Sequence, residues 1–229
     1  MKSFALLALA VASALPSALA HGFVDKITVK GSTSKTYNGP EPGSGPGNSI
    51  IRLIDNTEPN HIDDGKNLAC GKGASTRGAK LTGNANPGDT LSFNWNAGDG
   101  TPWPHDSGPL ITYMAKCDGD CSSFDATKGK WFKIDEIGKT KTPGNEWFQD
   151  TILHKGKQYD VKIPDGVASG NYLIRHEIIA LHLADQLKGA EFYPSCSQFK
   201  IGGSNTGSPS VTAAFPGAYK ATDAGIHIN

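Results

Sequence analysis

Residues 170–199 read GNYLIRHEIIALHLADQLKGAEFYPSCSQF, and the reading of this stretch decides the fold. Tyr172, Ile174, His176 and Ile178 alternate with Leu173, Arg175, Glu177 and Ile179. Side chains two apart share one face of an extended chain, so the pattern predicts a strand. Continued without a bulge, that strand would put His176 and His182 on the same side. A loop over 183–189 follows, and then Glu191 and Tyr193 stand two apart, so an extended backbone aims both at one place. A histidine, a carboxylate, a phenol and a cysteine (Cys196) thus fall within one short segment. Each alone is an ordinary residue of a sandwich strand; together with the N-terminal region they favour a metal site.

Working outward, further runs carry the same alternation. Ile27 and Val29 alternate with Thr28 and Lys30; Leu91, Phe93 and Trp95 with Ser92 and Asn94; Tyr159, Val161 and Ile163 with Asp160 and Lys162. LITYMAKC (110–117) and residues 131–137 read as strands, SIIRLI (49–54) as a short one, and 147–153 as either a strand or a helical turn. Turn residues punctuate these runs and no helical period is sustained, which predicts an all-β chain built as an immunoglobulin-like or fibronectin-like β-sandwich with long loops. No internal repeat divides it, so residues 21–229 are expected to form a single catalytic β-sandwich domain. Loops as long as 32–87 inside such a domain carry function or are pinned by cross-links.

Lys+Arg 22 against Asp+Glu 22 gives a formal net charge of zero, which leaves no electrostatic footprint for nucleic acid or an anionic membrane. A neutral polymer is compatible with that balance. Residues 1–20 read as a signal peptide: Lys2, an apolar run over 4–15, and Ala18-Leu19-Ala20 as the cleavage site. The apolar run is too short to span a bilayer, so the expectation is a secreted, extracellular protein without a membrane partner. Four cysteines in an exported chain suggest two disulfides in one of three pairings. The turn in Cys117-Asp118-Gly119-Asp120-Cys121 suggests a local bridge, which would leave Cys70 with Cys196. A zinc site at Cys117 and Cys121 would lack two partners.

Cleavage after Ala20 would leave His21 with a free α-amino group, and that amine and an imidazole nitrogen can close a chelate ring on one ion. A third nitrogen would come from a distant histidine. His105, in the loop between two strands, is the candidate. Three nitrogens in a tetragonal set suit Cu(II), which also stands highest in the affinity order of divalent first-row metals.

RHEIIALH (175–182) followed by GAEFYPSC (189–196), with HGFV (21–24), GPLITYMAKCDGDC (108–121) and PGAY (216–219), resembles the fungal lytic polysaccharide monooxygenases of auxiliary activity family nine, formerly classed as glycoside hydrolases. The resemblance covers nearly the whole chain after residue 20. It implies one copper ion per chain held by His21 and His105, with Tyr193 as the axial residue. His182 resembles the histidine that hydrogen-bonds oxygen species, Glu191 stands where its partner is usually glutamine, and Tyr219 resembles a tyrosine of the flat substrate-binding face. On this resemblance His182, Glu191 and Tyr193 form the catalytic set, and the disulfides are Cys70–Cys196 and Cys117–Cys121. The implied reaction is oxidative cleavage of β-1,4-glucan, cellulose above others, by a monomer at a polysaccharide surface. It would use O2 or H2O2 and an external electron donor, a reductant or a donor enzyme.

The chain departs from the family pattern at three points. His105-Asp106-Ser107-Gly108-Pro109 is one residue longer than the usual His-x-Gly-Pro, Glu191 replaces an amide, and the chain stops soon after Gly225. Other readings of the same residues are a secreted copper-binding protein of this fold without oxidase activity, and a non-catalytic carbohydrate-binding sandwich. A hydrolase would need a second carboxylate beside Glu191, and Glu177 and Asp185 are near it only in sequence.

Overall fold

The computed structural model of the protein describes residues 21–31, 34–45, 47–140, 144 and 146–228. The signal-peptide expectation for residues 1–20 lies outside them. In chain order the strands are β1 (Gly22–Lys30), β2 (Lys35–Asn38), β3 (Gly83–Ala85), β4 (Thr90–Ala97), β5 (Leu110–Lys116), β6 (Phe132–Ile137), β7 (Tyr159–Lys162), β8 (Gly170–Ala180) and β9 (Glu191–Ile201). They form two sheets, ordered β2-β1-β4-β7 and β3-β9-β8-β5-β6. All pairings are antiparallel except β3 with β9. The sandwich expected from the alternating runs is the observed fold. Among the described residues no helix is long and apolar enough to cross a membrane.

The pleat explains the core. Ile27, Val29, Leu91, Phe93, Trp95 and Val161 project from the four-stranded sheet. They meet Ile174, Ile178, Tyr193 and Phe199 from the five-stranded one. Each large apolar side chain fully buried this way stabilises the fold by about 1.5–3 kcal/mol.

The alternate residues of β8 and β9 are buried too, because loops cover the outer face of the five-stranded sheet. Arg175 and Glu177 form an ion pair there with both side chains fully buried. Arg175 also donates to the carbonyls of Leu68 and Ala69 at 2.8 and 3.0 Å, and its guanidinium lies 3.7 Å from the Phe215 ring centroid. Cys70–Cys196 clamps the same loop to β9 across a sequence separation of 126, and Cys117–Cys121 closes a local turn. Both cysteines of the second pair are therefore cross-linked, which removes the zinc alternative. A long-range bridge of this kind contributes roughly 2–5 kcal/mol.

Three local expectations are refined. Residues 49–54 make no full strand: Ile51 bridges Ser197, and the Arg52 N–H donates to the Cys196 carbonyl at 2.8 Å. The Arg52 guanidinium, caught by the carbonyls of Ala74, Ser75, Cys121 and Phe124, ends the pairing by tying this segment to the outer loops. Residues Gln149–Leu153 settle as a single π-helical turn. His176 and His182 do not share a strand face, because β8 ends at Ala180 and His182 lies in the turn beyond.

His176 instead sits in the core, stacked on Phe93 with centroids 4.1 Å apart and paired to Thr112 through Nδ1 at 2.8 Å. Burial, with the Arg175 charge nearby, lowers its pKa from 6.5 to about 3. Between these values the unfolded chain binds a proton that the folded chain refuses, so stability falls as pH drops through this window. His176→Phe should therefore flatten the pH dependence of unfolding free energy between pH 6 and 4. The expected change in slope approaches about 1.4 kcal/mol per pH unit, read by urea titration. Equal slopes in both proteins would show that His176 is not held neutral.

Candidate metal centre

Three separate segments meet at one end of the sandwich. His21 immediately precedes β1, and its carbonyl accepts from Gly98 N–H at 3.0 Å. Gly22 beside it has no room for a side chain: a Cβ would lie 2.4 Å from the Asn96 carbonyl oxygen and 2.9 Å from the Trp103 ring. The first residues of β9 supply Glu191 and Tyr193, which the pleat turns to one side. The loop between β4 and β5 supplies His105.

That loop is held by specific contacts. The Leu181 N–H donates to the Ser107 carbonyl and the Ile179 N–H to the Pro109 carbonyl, both at 3.0 Å. Gly108 has a φ of +121°, and a Cβ there would fall 1.9 Å from the Ile179 carbonyl oxygen. The extra residue of the His105–Pro109 loop is thus folded against the end of β8. Behind it, Trp103 donates its indole N–H to Gln149 Oε1 at 2.8 Å, and Gln149 Nε2 donates to the Ile179 carbonyl at 3.1 Å. Trp103 packs edge-on to both His105 and Tyr193, with centroids 5.2 and 4.9 Å away.

The His21 and His105 ring centroids are 6.4 Å apart, and Tyr193 lies 6.3 Å from His21 and 5.8 Å from His105. The Tyr193 hydroxyl donates to Glu191 Oε2 at 2.7 Å and lies 3.2 Å from His105 Nε2. Since its one proton goes to Glu191, the contact with His105 is an imidazole N–H donating to the phenol oxygen. A metal on Nε2 would take the place of that hydrogen. His182 stacks on His105, centroids 4.3 Å apart with planes inclined 16°, and its Nε2 is 3.8 Å from Glu191 Oε2. Burial, then the neighbouring His182, lowers the His105 pKa to about 4 against the pull of Glu191, so its ring is neutral at ordinary pH. Burial and the Glu191 charge push Tyr193 upward, so it stays a phenol.

Two donor sets share His105. Donor atoms of His105, His182 and Glu191 all lie within 4.8 Å of one another. Imidazole lone pairs lie in the ring plane, however, and these two rings are stacked face to face, centroids 4.3 Å apart and planes inclined 16°, so they do not both aim a lone pair at one nearby ion. His21 and His105 meet no such obstacle, since one ion with metal–nitrogen bonds of roughly 2 Å fits between rings at their spacing. The residues present therefore fit a metal that His21 and His105 would hold, with Tyr193 beside both.

Tyr219 stands on the outer face of the five-stranded sheet. Its hydroxyl donates to Glu177 Oε2 at 2.7 Å, its ring stacks on Phe192, and Phe215 packs against it at 5.3 Å. Glu177, bonded to Arg175 on that outer face, offers Glu191 no catalytic partner. Sequence reading missed Trp103 and Gln149, which position His105, and Glu58, whose Oε1 lies 3.4 Å from His21 Nδ1. Trp103 between Pro102 and Pro104 was a legible signal of a packed loop; Gln149 and Glu58 carried none.

A β-sandwich with two histidines and a buried tyrosine converging at one end has the makings of a metalloprotein. Residues 21–229 match the profile of Auxiliary Activity family 9, formerly GH61, and the chain belongs to that family. It is 46% identical over 225 residues to lytic polysaccharide monooxygenase D of Gloeophyllum trabeum, covering 98% of this chain and 63% of that protein. A monooxygenase from Thermothelomyces thermophilus is 38% identical over 93% of this chain and 82% of its own. Among solved structures, the extended catalytic domain of a Hypocrea jecorina monooxygenase superposes with a TM-score of 0.81 at 34% identity, covering 91% of this chain and 84% of that one. A structure described as a cellulose-active polysaccharide monooxygenase from M. thermophila gives 0.78 at 36% identity, with 91% of each chain covered.

Gly108→Ala should displace the His105 loop, because the added methyl meets backbone rather than a yielding side chain. Cu(II) affinity measured by calorimetry should fall by about tenfold or more, equivalent to about 1.4 kcal/mol. Unchanged affinity and melting temperature would show that the loop geometry does not depend on Gly108.

Proposed function

We propose that this chain is a copper-dependent lytic polysaccharide monooxygenase that cleaves β-1,4-glucan oxidatively, cellulose above others, and that residues 21–229 form its single catalytic domain. The observation that carries the reading is the convergence of His21, His105 and Tyr193 beside His182 and Glu191. Family membership and the cellulose-active relative support it. A plain copper-binding protein would need the histidines but not the Tyr193–Glu191–His182 arrangement.

His21 and His105 would hold the copper, His21 through both its α-amine and its ring once residues 1–20 are removed. Copper there supplies one-electron redox chemistry, with an external donor and O2 or H2O2 as co-substrate. The protein residues have separable tasks. Burial keeps His105 neutral, so no second ring proton competes with a metal for its nitrogens. Tyr193, held edge-on by Trp103, lies beside both histidines and fills the space between them and the core. Glu191 accepts a hydrogen bond from the Tyr193 hydroxyl and so fixes the phenol's orientation. Half-exposed His182, with Glu191 within 3.8 Å, stands where it can donate or accept a proton on the open side. A polysaccharide surface and a reductant or donor enzyme are the partners this requires.

Two measurements test the reading. Protein beginning at His21, loaded with copper and given cellulose and ascorbate, should release oxidised oligosaccharides detectable by mass spectrometry; copper-loaded protein that yields none would refute oxidase activity. Protein with one additional residue before His21 has an amide where the terminal amine should be, a far poorer ligand. Its Cu(II) affinity should drop by orders of magnitude, and equal affinity would rule out the amine–imidazole chelate.

A further inference from the structure

A narrow cleft, with a cavity volume of only about 20 Å³, is lined by Glu58, Gly22, Trp95 and Tyr193, with Arg52 and Asn60 also in its walls. Arg52, Asn60 and Trp95 are each nearly fully buried, at 2%, 3% and 3% exposure. Each leaves one polar atom without a hydrogen-bond partner among the described residues: Arg52 Nε, Asn60 Oδ1 and Trp95 Nε1. Such atoms are rare in folded proteins and costly, at roughly 1–3 kcal/mol apiece, unless something bonds to them. Here three of them belong to residues lining one cleft.

Neighbouring contacts hold Arg52 and Asn60 in place. Arg52 already donates through both terminal nitrogens to four carbonyls, which fixes its side chain and leaves Nε as the remaining donor. Asn60 Nδ2 donates to the Phe192 carbonyl at 3.1 Å, so rotating the amide would set oxygen against oxygen. Trp95 differs from the other deeply buried indoles: Trp103 donates to Gln149 at 2.8 Å and Trp131 to the Ala126 carbonyl at 3.1 Å.

We infer that this cleft is a binding site for ordered water, anchored on Arg52, Asn60 and Trp95 and reaching the buried side of Tyr193. The chemistry selects the ligand. Two N–H groups need an acceptor and one amide oxygen needs a donor, so the occupant must do both. The cleft is narrow, which limits it to water-sized molecules. Tyr193 also lines the cleft, so this water lies against one side of the phenol. The inference rests on the lining atoms alone and holds whatever metal His21 and His105 bind.

The test uses the intact folded protein without added metal. In NMR the Trp95 indole N–H should exchange with solvent at least about tenfold faster than those of Trp103 and Trp131, despite comparable burial. A crystal structure at high resolution should show water within hydrogen-bond distance of Arg52 Nε, Asn60 Oδ1 and Trp95 Nε1. Protection of the Trp95 indole equal to that of Trp103, or density lacking water at two of the three atoms, would overturn the proposal. Neither readout depends on copper or turnover, so its failure is distinct from failure of the proposed activity.

Discussion

The ladder between β8 and β9 is the constraint on which the rest of the structure depends. It runs without interruption from Gly170 opposite Ile201 to Ala180 opposite Glu191. Because the side-chain period of a strand is two, this register fixes every role along both strands. Ser195 and Tyr193 face inward, alongside His176 and Ile178 on the partner strand. Cys196 and Phe192 face outward, alongside Arg175 and Ile179. A slip of one residue would bury Cys196 in the sandwich and turn Tyr193 away from His105.

The outward face explains why long loops can be ordered. Arg175 and Glu177 are charges without solvent, and a buried ion pair is tolerable only where further hydrogen bonds complete it. Those bonds come from the Leu68 and Ala69 carbonyls and from the Tyr219 hydroxyl. The pair thus gathers two distant loop regions, and the Cys70–Cys196 bridge makes one of those connections covalent. The same burial that forces this pairing keeps His176 neutral in the opposite layer.

At the candidate metal centre the physical theme is desolvation around one phenolic hydrogen bond. Partial burial holds His105 neutral and Tyr193 protonated. Glu191 accepts the hydrogen bond from the Tyr193 hydroxyl and lies near both His105 and His182. A carboxylate suits this position because it accepts from several donors at once. The departure from the usual amide is therefore compatible with the observed contacts. The longer His105 loop is compatible too, since Gly108 lets the chain press directly onto the end of β8.

Much of this protein was legible in its sequence. Alternation of apolar side chains is a local property, so the strands and the sandwich class could be read from the chain, and so could the common direction of Glu191 and Tyr193. Motif resemblance named the candidate ligands His21 and His105. What required the tertiary structure was everything set by contacts between distant segments. The stop of β8 at Ala180, which separates His176 from His182, depends on the His105 loop docking there. The inward hydroxyl of Tyr219 depends on a buried charge in another strand. Gln149 serves Trp103 from a helical turn whose sequence gives no sign of it. Local pattern determines which way a side chain points along its own strand; only packing decides what it meets there.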